Sequence, residues 1–201
     1  MKNLFAYIVA VLLLVASIGV AKSESLSDNL PRDVTGIDTD MKAFSRLYEL
    51  LQKIPADDPE TLVWLGINTP LMQPIFLYEY SRRLNVSGQR EAALVQLAKA
   101  RLGRDIDSTE CIKLDRSTPG DMWFMLTNSL ETEILNKPRR EMNLWFKGIS
   151  IALNSEANRK KLSALWLCGT NNTKDAELAS NSRKERYEFL KRDFERMNPI
   201  K

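Results

Sequence analysis

The chain has 201 residues, with 29 basic and 26 acidic side chains, two cysteines and no histidine. A composition that is 44% hydrophobic and 27% charged, with four tryptophans, belongs to a globular protein and not a disordered one, and the length suits one domain. Without histidine the chain supplies no Ser-His-Asp triad, no Cys-His dyad and no histidine-ligated zinc.

At the amino terminus, Lys2 and Asn3 precede eighteen uncharged residues, Leu4 to Ala21, rich in Val, Leu, Ile and Ala. Small residues follow at Ala21 and Ser23, the positions a signal peptidase reads, with Gly19 and Ala21 offering a second site. The pattern predicts a secretory signal peptide over residues 1–23. The alternative is an uncleaved anchor, because eighteen apolar residues sit at the lower edge of what spans a bilayer. No cysteine lies near the segment's end, which excludes a bacterial lipoprotein anchor. Losing residues 1–23 removes Lys2 and Lys22 and leaves 27 basic against 26 acidic side chains, a net charge of +1. Nothing in that balance calls for a nucleic acid or another polyanion as partner.

Residues 24–39 contain Pro31, Gly36 and several Ser and Asp, and read as a flexible lead-in. Residues 40–201 then read as a single all-helical domain. Met41, Phe44, Leu47, Tyr48 and Leu51 recur at steps of three and four, which predicts a helix ended by Pro55. Asp58-Pro59 is a cap followed by proline at the first helical position and opens a short helix through Leu65. Pro74 opens the next, which carries Ile75, Tyr78 and Leu84 to a turn at Ser87-Gly88. A helix from Ala92 to Leu102 has Gly103 as its expected left-handed stop. Thr118-Pro119-Gly120-Asp121 repeats the start signal ahead of Trp123, Leu126, Leu130 and Ile134. Pro138 restarts the chain before a stripe of Met142, Trp145, Phe146, Ile149 and Leu153. Ser155 is read as the cap of a helix bearing Leu162, Leu165 and Trp166 and closed by Gly169. The last helix runs from about Lys174 to Met197, with a seam of Tyr187, Leu190, Phe194 and Met197. Its charges, Arg183 among them, mix both signs and read as a solvated face. The fold class is all-α, a helical bundle or a short helical-repeat array of about seven helices.

Cys111 and Cys168 both lie beyond the leader. In an oxidising compartment paired thiols are joined, and two cysteines allow one intramolecular bridge. Their spacing is unlike Cys-x-x-Cys, and no other soft ligand lies nearby, so the pair reads as a structural disulfide and not as a redox or metal site.

The segment Tyr78 to Ala100 reads YEYSRRLNVSGQREAALVQLAKA. It resembles one tetratricopeptide/Sel1-type helical hairpin, with Tyr80, Leu84, Gly88, Ala93, Leu97 and Ala100 at that family's larger and smaller packing positions. The resemblance covers residues 78–100 only. The closing proline of the pattern is absent, with Asp105 near its place, and no second copy is seen in the sequence. It implies a scaffold that binds protein or peptide on a concave helical surface. The hairpin residues read as exposed partner contacts are Tyr78, Arg82, Arg83, Gln89 and Arg90.

Without histidine the available catalysts are carboxylates, lysine, tyrosine, serine and an unpaired cysteine, and a secreted helical hydrolase would use one or two carboxylates. Leu71-Met72-Gln73 echoes a segment of lytic transglycosylases, with Glu60 upstream, but Pro70 replaces the glycine, and the serine-rich motif around the catalytic glutamate is missing. Glu60 has a simpler task in a first helical turn, where a carboxylate complements the helix dipole. Glu79, beside Arg82 and Arg83, reads as a surface ion pair in preference to a buried acid. Asp105 and Asp107, read as a loop before Cys111, lack the ladder of an EF-hand calcium loop. Trp123, Trp145 and Trp166 fall on helical stripes and read as core. Asn85-Val86-Ser87 and Asn171-Asn172-Thr173 match the glycosylation pattern, which matters only in a eukaryotic host.

The expectation is therefore an exported, non-enzymatic protein-binding protein of a bacterial cell envelope, periplasmic or secreted. Its role would be that of an immunity or inhibitor protein, or of an accessory subunit of an envelope assembly. It needs no cofactor and no metal, and its partner is another protein. The membrane enters only through residues 4–21 if they are not cleaved. The alternatives are a carboxylate-dependent cell-wall hydrolase and a bitopic protein anchored by its amino terminus.

Overall fold

The computed structural model describes residues 26–37, 39–112, 132, 142–157, 168 and 173–197. Six helices among them make an all-α bundle: α1 Met41–Lys53, α2 Pro59–Asn68, α3 Pro74–Val86, α4 Arg90–Asp107, α5 Met142–Glu156 and α6 Ala176–Met197. The described residues contain no strand, only an isolated antiparallel bridge between Cys111 and Thr173. Trp123, Leu126, Leu130 and Ile134 lie outside the described residues, as do Leu162, Leu165, Trp166 and Gly169.

Helix starts follow their local chemistry. Asp40 accepts from the backbone N–H groups of Lys42 and Ala43, at 2.9 and 3.2 Å, and caps α1. Asp58 accepts from the N–H of Thr61 at 2.7 Å, with Pro59 at the first position of α2. α6 begins two residues after the expected Lys174, because Asp175 caps it by accepting from the Leu178 N–H at 2.9 Å. α1 stops at Lys53, and Ile54 after it has the extended backbone that a residue before proline adopts.

The turn between α3 and α4 is a Schellman motif. Gln89 N–H donates to Leu84 C=O and Gly88 N–H to Asn85 C=O, while Gly88 takes φ +76°. Gly103 does not act as such a stop. It is buried inside α4, which runs on to Asp107 and so carries Ile106 and Asp107 inward. Asp105 and Asp107 therefore sit on a helix and not in a loop. Ser155 lies in the last turn of α5, where its hydroxyl donates to the Ile151 carbonyl.

α4 is the central element, in contact with α3, α5 and α6, while α2 packs on α3. Ala93 and Ala100 are fully buried, and Ser81 of α3 donates to the Ala93 carbonyl at 2.8 Å. Gly148 brings α5 equally close, since a Cβ there would lie 3.2 Å from the Leu94 carbonyl. The core gathers Phe44, Leu51, Leu65, Ile75, Phe76, Leu94 and Leu97, with Phe44 edge-on to Phe76 at 5.2 Å. Each such side chain contributes about 1.5–3 kcal/mol of burial.

The part of the lead-in that is described, residues 26–37, is packed and not loose. Leu30 and Val34 enter the core, the Trp64 indole donates to the Pro31 carbonyl at 2.9 Å, and the Ser27 hydroxyl to Glu60 at 2.9 Å. Two apolar residues in a polar stretch were enough to hold it down. Cys111 and Cys168 form a disulfide, with Cα atoms 5.1 Å apart across a separation of 57 residues.

Candidate functional site

Two charge networks and a cleft gather much of the polar chemistry of the described chain. The first joins α1 to α3. Glu79, 2% exposed, is not the surface acid expected from its charged neighbours. Its Oε1 accepts from Arg82 Nη2 and Arg83 Nε, both at 2.7 Å, and its Oε2 from Arg82 Nε at 2.8 Å and Gln52 Nε2 at 3.2 Å. Each oxygen already takes two donors, so this carboxylate has little capacity left for acid–base work.

Arg83 is fully buried and spends its other donors on the open end of α1. Nη1 reaches the Pro55 carbonyl at 2.6 Å, and Nη2 the carbonyls of Leu51 and Ile54. Those carbonyls have no intrahelical partner once Pro55 has stopped the helix. A cation at a helix C-terminus also opposes the dipole. Burial pushes the Arg83 guanidinium below its ordinary value, and the Glu79 charge pulls the other way. Burial, and next the Glu79 charge, push the Tyr48 phenol up to about 12, with Arg82 opposing.

Of the five residues expected to be exposed contacts, Tyr78 and Arg83 are buried, so that expectation is corrected for both. Tyr78 faces the core as part of the α3 stripe, and Arg83 serves the end of α1. Arg82 is partly buried against Glu79. Gln89 is exposed, and Arg90 donates to Asn85 at 2.7 Å beside the α3–α4 turn. The Glu79, Arg82 and Arg83 spacing of three and four residues already put these groups on one helix face. The carbonyls of α1 were not visible in any spacing.

The second network ties α6 to the rest. Arg183 donates to Asp107 and, at 2.8 Å, to Glu110, and lies 3.5 Å from Glu156. One turn on, Arg186 donates to Asp105 at 2.7 Å. Arg183 is largely buried and not the solvated charge its sequence context suggested. Its partners are 73 and 76 residues away, beyond any local pattern.

Between α4, α5 and α6 lies a cleft of about 300 Å³. Leu102, Trp145, Ile149, Leu190, Phe194 and Met197 supply most of its apolar lining. Arg101, Asp105 and Asp193 give it a charged rim, with the Arg101 guanidinium 5.9 Å from the Trp145 ring centre. Phe194 docks near Phe146 at 6.1 Å, while Met197 remains exposed. The seam expected on α6 thus meets the bundle only in part, and the space it leaves is this cleft. Among the described residues no group of carboxylates and cysteines could hold a metal ion. No helix among them is long and apolar enough to cross a membrane.

No family model, curated protein or solved structure matches this chain.

Proposed function

We propose that this is an exported, non-catalytic binding protein of a bacterial cell envelope, and that the α4–α5–α6 cleft receives an apolar helix edge of a partner protein. The observation that carries the reading is the cleft itself: a mostly apolar floor on three helices, rimmed by side chains of both signs. The apolar segment 4–21 and the Cys111–Cys168 disulfide support export into an oxidising compartment. A non-catalytic role draws support from the glutamates. Among the described residues, Glu79, Glu110 and Glu156, whose carboxyl groups are buried, each meet an arginine. The hairpin that resembles a helical repeat, α3–α4, supplies one wall through α4.

The test is photo-crosslinking in the native host, with the photoreactive residue at Met197 in the cleft or at Gln89 on the α3–α4 turn. One discrete protein adduct from Met197, absent from Gln89, is the expected result. Adducts from Gln89 alone would move the contact to the hairpin turn. No adduct from either position would overturn the binding reading.

A further inference from the structure

Large exposed hydrophobic side chains are not evenly spread over the described surface. Val63, Ile67 and Leu71 follow one another at steps of four along α2 and the turn after it, 64%, 69% and 52% exposed. Leu26, 44% exposed, adjoins Ser27, whose hydroxyl donates to Glu60 in the first turn of the same helix. Glu60 is the one charged residue of α2, so the row is otherwise uncharged. A helix this short, with three apolar residues outward, binds weakly to any apolar surface by itself.

The path of the chain supplies what the row lacks. The uncharged segment Leu4 to Ala21 ends five residues before Leu26. Five residues span at most about 17 Å. The Ser27–Glu60 bond therefore fixes the end of that tether beside the first turn of α2. We infer that, while residues 4–21 are attached and lie in a bilayer, the Val63–Ile67–Leu71 row rests on the lipid surface. This rests on the reading of residues 4–21 as a membrane-inserting leader or anchor. Tethering turns a weak contact into an intramolecular one, which is how so small a row comes to matter. Loss of the leader would end both the tether and the contact, so cleavage releases this face together with the chain.

The experiment uses the full chain in phosphatidylcholine vesicles, with an environment-sensitive fluorophore on Ile67→Cys or on Leu178→Cys. Leu178 is a comparably exposed apolar residue on α6. Spin-labelled phosphatidylcholine should quench the label at position 67 at least threefold more than that at 178, and a water-soluble quencher should show the reverse order. A label at 67 shielded from water but not quenched by lipid would mean that a second copy covers the row, and would overturn the inference. Equal, water-like behaviour at both positions would overturn it as well. A chain that fails to float with the vesicles would instead overturn the leader reading on which it rests.

Discussion

The apolar half of the molecule, α1 to α4, and the carboxy-terminal helix α6 are held by different forces. α1 to α4 bury Phe44, Leu51, Leu65, Phe76, Leu94 and Leu97 against one another. Among its 22 residues α6 buries Ala179 and Phe194, and much of its attachment is polar, through Arg183, Arg186 and Tyr187. Apolar burial is non-directional and fills space, whereas an arginine–carboxylate pair fixes distance and orientation without filling it. A helix hung on ion pairs can therefore stand off its neighbours, and the α4–α5–α6 cleft is the space that results. The apolar half has its own polar latch at Glu79 and Arg83, but there the latch closes a helix end inside a packed core.

Breaking that inner latch should do the most damage. Arg83→Met leaves Glu79 with fewer donors, strips the Leu51 and Ile54 carbonyls of the guanidinium, and leaves the Pro55 carbonyl with the Asp58 N–H alone. The expected cost is about 3–5 kcal/mol, the usual result of removing one partner of a buried ion pair. Urea unfolding monitored by circular dichroism should show one transition at much lower denaturant. A loss below about 1 kcal/mol would mean that the latch is solvated and ordinary.

How far the sequence foretold this structure divides along the same line. Local signals read well: the Phe44–Leu51 stripe, the Asp58-Pro59 start and the Ser87-Gly88 turn depend on neighbours within four residues. Gly103 misled, because glycine permits a stop but does not force one while Ile106 and Asp107 still have buried places to fill. The lead-in misled in the opposite sense, since Leu30 and Val34 are too few to show a period. Arg83 and Arg183 look in sequence like members of mixed charge runs. Their roles depend on carbonyls and carboxylates about 30 and 75 residues away, and no spacing rule reaches that far. The cleft was not legible, because the seam on α6 reads in sequence as packing on another helix.

Removing the outer latch should give a smaller and more local loss. Arg183→Met withdraws a cation from Asp107, Glu110 and Glu156. We expect about 2–3 kcal/mol, less than for Arg83, because this site is nearer to water. Hydrogen exchange should locate the change: amides of α6 exchange faster, and those of α3 and α4 keep their protection. Equal acceleration throughout would erase the distinction between the two regions.

Gly88→Ala tests the hairpin by backbone alone. Its φ of +76° disfavours any side chain, yet a Cβ there would meet nothing within 4 Å. The cost should be about 1–2 kcal/mol, all of it conformational. Gly88→Asn should recover part of this, since asparagine tolerates the left-handed region. If alanine proved neutral, the turn would have another conformation in solution.

The smallest effect is at neutral pH, and it becomes large only in alkali. Tyr48 keeps its proton to about pH 12 in the folded chain, against 10.0 for an unperturbed phenol, because burial and the Glu79 charge disfavour the phenolate. Between those values the unfolded chain has given up the proton and the folded chain has not. Stability is therefore full below pH 10 and falls as pH rises towards 12. Tyr48→Phe removes this slope and changes stability at pH 7 by about 1 kcal/mol or less, the range for one partly buried hydroxyl. Absorbance of the folded protein at 295 nm should show a late-titrating component near pH 12 that is missing from the variant, which assigns it to Tyr48. Tyr48 lies on α1 with the Glu79 charge of α3 acting on it, so the loss falls on the α1–α3 contact. Alkali should thus loosen the packed half first, the reverse of the order produced by Arg183→Met. A folded chain in which Tyr48 titrates near pH 10 would place water beside Glu79 and remove the contrast between a dry latch and a wet one.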